Sequence, residues 1–148
     1  MEFRVPMVEV EVTVAMTEAE PATCVIYLAP YSHRHDGFET IEEYINGPRN
    51  FFPMKMDGIS KLVNREQMLW LCAPRYPSEI AYAQAETEVI IELVDGMRVE
   101  GKLELNRPIG QARISDLLNN PHENFICLRN DDESYYVNKR YVRQVILR

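Results

Sequence analysis

The feature that most constrains this chain is a stretch that occurs twice. Laid over Asn124 to Val145 without a gap, Asn50 to Leu71 keeps one offset throughout: Asn50-Phe51 falls on Asn124-Phe125, Asp57 on Asp131, Ser60 on Ser134, and Val63-Asn64 on Val137-Asn138. Composition alone gives roughly one such match over a window of this length. Similar residues follow the same register, among them Met54 with Leu128, Lys55 with Arg129, Arg65 with Lys139 and Leu71 with Val145. Two copies of one unit must fold alike, so the repeat governs the architecture. In 148 residues it leaves about 70 residues per copy, a size at which one core contributes only a few kcal/mol. The copies are therefore expected to lean on each other or on another chain. The expected division is a first copy over 1–74, a packed linker over 75–86 and a second copy over 87–148.

Within the first copy, Val8-Glu9-Val10-Glu11-Val12-Thr13-Val14 alternates with the period of a strand buried on one face. Thr23 to Leu28 reads as its hairpin partner. Thr40 and Glu43 form a capping box for a short helix that Asn46-Gly47-Pro48 stops. Phe51 to Met56 and Ile59 to Val63 flank an Asp57-Gly58 turn. Pro53, which cannot donate to a ladder, predicts that its strand is an edge or is bulged. Asn64-Arg65-Glu66 predicts a single helical turn, followed by a last strand. The second copy repeats the order: strands Glu88 to Val94 and Arg98 to Leu105 around Asp95-Gly96, a helix Ser115 to Asn119, and strands Asn124 to Arg129, Ser134 to Val137 and Tyr141 to Leu147. Ile114 and Asn119 fall on Ile41 and Asn46.

Five strands, with a helix between the second and third and a helical turn before the fifth, fit a small barrel. The segment Glu88 to Gly101 resembles the first hairpin of Sm-like domains, and Tyr136 to Val142 resembles the turn into their last strand. The chain is also similar to a bacterial family of unknown function that pairs a D-G-x-x-x-x-G hairpin with a later short helix and a V-N-x-x-x-V strand. The first copy departs from this pattern, since Thr17 to Pro21 replaces the Asp-Gly turn and no glycine matches Gly101. The expected fold is mainly β: two tandem five-stranded SH3-like or Sm-like barrels related by duplication. The Sm-like resemblance implies RNA or nucleotide binding and assembly into rings.

Charge speaks against that implication. The net charge is −7, shared as −5 over residues 1–74 and −2 over 75–148, and neither copy has the basic excess that phosphate backbones attract. Cys24, Cys72 and Cys127 are odd in number and far apart, which argues against a disulfide framework or a C-x-x-C site. No segment approaches the roughly 20 apolar residues of a membrane span, and Met1 to Pro6 lacks a signal-peptide pattern. A cytoplasmic protein with no membrane partner is expected.

No Gly-rich phosphate loop, G-x-S-x-G elbow or paired Cys and His signature is present, so no catalytic residue, metal or cofactor is predicted. His33-Arg34-His35-Asp36 is ligand-like, but Arg34 would repel a cation, and the segment reads as a solvated loop. Asn64-Arg65 and Asn138-Lys139-Arg140 recur at one place in both copies and form a candidate polar ligand turn; asparagine also serves such turns structurally. The strongest candidate is an interface. Where the last strand of the second copy carries Arg143-Gln144, the first copy has Leu69-Trp70 within an unbroken apolar run. Phe52, Met54 and Met56 alternate along the neighbouring strand, so Phe52, Met54, Met56, Leu69 and Trp70 are the candidate interface for a protein partner or self-association. A fold-back of Ala73 to Ala85 over this face is the intramolecular alternative.

Overall fold

A computed structural model describes residues 7–32, 34, 36–74, 85–105 and 114–148. The first copy comprises strands β1 (Val8–Met16) and β2 (Ala22–Leu28), helix α1 (Ile41–Ile45), strands β3 (Phe51–Met56) and β4 (Ile59–Asn64), a 3-10 turn at Arg65–Gln67, and β5 (Met68–Pro74). The second comprises β6 (Ala85–Leu93), β7 (Arg98–Leu105), α2 (Ile114–Leu118), β8 (Phe125–Arg129), β9 (Glu133–Asn138), a 3-10 turn at Lys139–Tyr141, and β10 (Val142–Leu147). The capping box at α1 forms: Thr40 Oγ1 accepts from the Glu43 amide at 3.1 Å, and the Thr40 amide donates to the Glu43 carboxylate at 3.2 Å. The Asp57-Gly58 turn places both residues at positive φ, the demand that makes this pair a hairpin signal.

The ten strands of the described residues join one antiparallel sheet in the order β10-β6-β7-β8-β9-β5-β1-β2-β3-β4. Each copy therefore uses the order fifth, first, second, third, fourth. The registers agree as well. Val14 faces Leu71 and a one-residue bulge separates Ala15 from Met16; Ile91 faces Val145, with the same slip between Gln144 and Val142. Val25 faces Lys55, and Lys102 faces Arg129. The duplication thus reaches well beyond the stretch in which it is visible as sequence.

The expected closed barrels do not form. The fourth and fifth strands of a copy do not pair with each other; β5 gives its second edge to β9 instead, with Trp70 opposite Val137, Leu71 opposite Tyr136 and Cys72 opposite Tyr135. A strand has only two edges, and those of β5 are taken by β1 and β9. The sheet is open, with β4 outermost at one end and β10 at the other. Pro53 is likewise not on the outermost strand. Its strand β3 lies between β2 and β4, and the proline acts as a stop: the β2 ladder covers Lys55 and Met54 and then ends, since Pro53 has no N–H to extend it.

Among the described residues two apolar clusters pack against the sheet. One holds Val10, Val12, Val14, Ile26, Phe52, Met54, Met68 and Leu71 beneath Ile41, Tyr44 and Ile45 of α1. The other holds Val89, Ile91, Leu93, Val99, Leu103, Ile126, Leu128 and Val137, with Ile114, Leu117 and Leu118 of α2 against it. The clusters exchange members at the joint. Phe125 and Tyr136 of the second copy belong to the first cluster, while Ala15, Trp70 and Cys72 of the first copy belong to the second. Gly101 permits one close approach, because a Cβ there would lie 3.0 Å from the Arg129 carbonyl oxygen. The expected linker falls largely on residues 75–84, outside the described residues; Ala73 and Pro74 belong to β5 and Ala85 to β6.

Candidate functional site

The joint explains the apolar run in β5. Trp70 is 7% exposed and meets Tyr135 edge-on, with ring centroids 5.6 Å apart. What covers this face is the second copy of the same chain. Phe52, Met54 and Met56 point into the first core and are buried, and Leu69, the bulged residue, packs against the second cluster. The five residues do not form one outward patch. Three of them line a core and two line the joint.

The polar turns are spent on structure. Asn64 caps its turn by accepting from the Glu66 amide at 3.0 Å, and Asn138 accepts from the Arg140 amide at 3.1 Å. Asn138 also reaches across the joint, donating to the Arg65 and Met68 carbonyls at 3.2 and 2.9 Å. Arg65 donates to Arg49 O and Asn50 Oδ1, and Lys139 donates to Leu117 O and Asn120 O. Desolvation lowers the pKa of the Lys139 ammonium, with Glu123 opposing. Arg140 pairs with Glu66 at 3.0 Å across the joint, and Tyr141 donates its hydroxyl to Glu66 O. The candidate turn thus locks the copies together.

Two of the three cysteines, Cys72 and Cys24, are held as thiols. Cys72 donates to Glu133 at 2.8 Å, and burial followed by that contact pushes it up to about 12; burial alone takes Cys24 to about 11. Such groups are poor nucleophiles at neutral pH. Among the described residues no group of His, Cys, Asp and Glu could hold a metal ion, and no helix is long and apolar enough to cross a membrane. His33 and His35 lie outside the described residues. A shallow groove of about 260 Å³ beside β6 and β7 carries Glu86, Glu88, Glu100 and Asp131 against Lys102 and Arg129, and so offers mixed charge without a nucleophile.

What remains is the two ends of the sheet. On β4, Leu62 is 71% exposed and Ile59 is 59% exposed; Phe51, on β3 beside them, is 54% exposed. At the other end Leu147 of β10 is also exposed. An outermost strand leaves a row of amides and carbonyls that can accept another strand. Sequence reasoning passed over Phe51, Ile59 and Leu62. The signal was present in the repeat, because Phe51 matches Phe125 and Leu62 matches Tyr136, and both of those partners are buried at the joint. No family model, curated protein or solved structure matches the chain.

Proposed function

We propose that this is a non-enzymatic cytoplasmic protein that binds other polypeptides by strand addition at the ends of its sheet. The observation that carries this reading is the β4 edge, where Phe51, Ile59 and Leu62 stand exposed near a strand whose outer edge has no partner among the described residues. Each copy is taken as a curled five-stranded unit of small-barrel type, with the strand order repeated twice as its support. Nucleic acid is not the ligand in this reading: the net charge is −7, and the cationic side chains of the recurring turns bond to the chain itself. The acidic turn Asp131-Asp132 would add repulsion.

Affinity capture from the native host with the wild-type chain and with Leu62→Asp tests the proposal. Leu62 is solvent-exposed, so the variant is expected to fold normally while losing the proteins that the wild type retains. Identical capture by both chains would refute edge binding. Salt-resistant binding of a short RNA would favour the rival ligand class.

A further inference from the structure

The chain contains a worked example of how its own free edges can be filled. At the joint, the fourth strand of one copy (β9) lies on the fifth strand of the other (β5). The two strands left outermost are the remaining fourth strand, β4, and the remaining fifth strand, β10. We infer that a second copy of this chain docks head to tail, with its β10 on β4, by repeating the β5–β9 joint. The inference rests on the edge-binding reading above and names its partner.

The repeat fixes the register. Trp70 opposite Val137 becomes Gln144 opposite Val63; Leu71 opposite Tyr136 becomes Val145 opposite Leu62; and Cys72 opposite Tyr135 becomes Ile146 opposite Lys61. Leu62 thereby takes the place of Tyr136, which is 0% exposed, and Phe51 takes that of Phe125, which is 1% exposed. Each of the two exposed residues has a buried counterpart that shows how it would be covered.

The clasp beside the strands is repeated too. Asn46, at the end of α1, accepts through Oδ1 from the amides of Asn124 and Phe125, both at 2.9 Å. The matching residue in the second copy is Asn119, at the end of α2, and Asn50-Phe51 matches Asn124-Phe125. Asn119 is exposed; its Nδ2 donates to Ser115 O, and its Oδ1 accepts nothing among the described residues. In the docked pair, Asn119 of one molecule would accept from the Asn50 and Phe51 amides of the next. The ionic contact is also self-consistent: the joint pairs position 66 with position 140, and the same two positions meet again, as Glu66 and Arg140, between molecules. A contact of this kind uses different surfaces on its two sides. It builds rings when the rotation closes and filaments when it does not, and it leaves no isologous dimer.

The test uses two variants of the full chain whose substitutions all lie at exposed positions: a head variant, Phe51→Asp/Leu62→Asp, and a tail variant, Asn119→Ala/Leu147→Asp. Circular dichroism checks that both fold, and sedimentation velocity reads their size. The wild type is expected to associate, and each variant alone to weaken association at least about 100-fold. Mixed together, the variants should form a 1:1 dimer and stop there, because each retains one intact surface. A wild type that stays monomeric, an oligomer that persists in the head variant, or folded variants that fail to complement would each overturn the inference. A monomeric wild type with Leu62-dependent capture of another protein would do so while leaving edge binding intact; a head variant unchanged in both assays would remove both.

Discussion

Asn64 and Asn138 occupy the same position and do unequal work. Both cap a 3-10 turn through Oδ1, but Asn138, 5% exposed, also satisfies two carbonyls of the other copy through its Nδ2. Removing a side chain that caps costs about 1 kcal/mol, and leaving buried backbone acceptors unpaired adds about 1–3 kcal/mol. Asn138→Ala is therefore expected to lower stability by roughly 2–4 kcal/mol and Asn64→Ala by about 1 kcal/mol, as read from urea midpoints. Equal losses would mean that the cross-joint bonds contribute nothing. The turn chemistry was legible in the sequence, since asparagine before a short helical turn announces a cap. The second role was not, because the carbonyls that Asn138 meets lie some seventy positions away.

At the scale of elements, titration bears on stability at the joint between β5 and β9, as it does at Cys24 in the first core. Cys72 and Tyr135 face each other across the joint, and both are raised, each to about 12, first by desolvation. A raised acid keeps its proton in the folded state at a pH where the unfolded chain has lost it. Stability is thus unaffected between neutral pH and about 9, the ordinary thiol value, and falls as pH climbs from there toward 12. Urea midpoints across this range should show the decline, and Cys72→Ala should flatten part of it; a flat profile in the wild type would contradict the buried joint. Most strands, both helices and the hairpin turns could be read from alternation, capping and Asp-Gly pairs. Which strand lay beside which could not, because a pairing between copies leaves no local pattern. The trace it did leave was a contrast between copies: Leu69-Trp70 against Arg143-Gln144 and Tyr135-Tyr136 against Lys61-Leu62 separate strands in mid-sheet from the same strands at its ends.

For the whole molecule, exchange of core residues makes the copies interdependent. Trp70 is the only tryptophan and it sits at the joint, so its fluorescence reports separation of the copies, while far-UV circular dichroism reports loss of strands anywhere. The two unfolding curves in urea are expected to coincide, as they do for a single cooperative unit. A fluorescence change that precedes the loss of strands would show the copies parting before either unfolds. The expected barrel closure failed for a related reason: a duplicated unit with two unlike edges can satisfy one of each by joining its twin, which removes two of four exposed edges within a single chain.

The order of the joint also has a consequence during synthesis. The first copy is complete once Pro74 has left the ribosome, but the strand that covers Trp70 and Leu71 ends at Asn138. About sixty further residues must be added, which at about 5–20 residues per second takes roughly 3–12 seconds. Throughout that interval the nascent chain presents an apolar strand with an open ladder, shaped to receive the fourth strand of a repeat. Until β9 is made, the fourth strand within the chain's own reach is β4, the other free end of the same five-stranded unit.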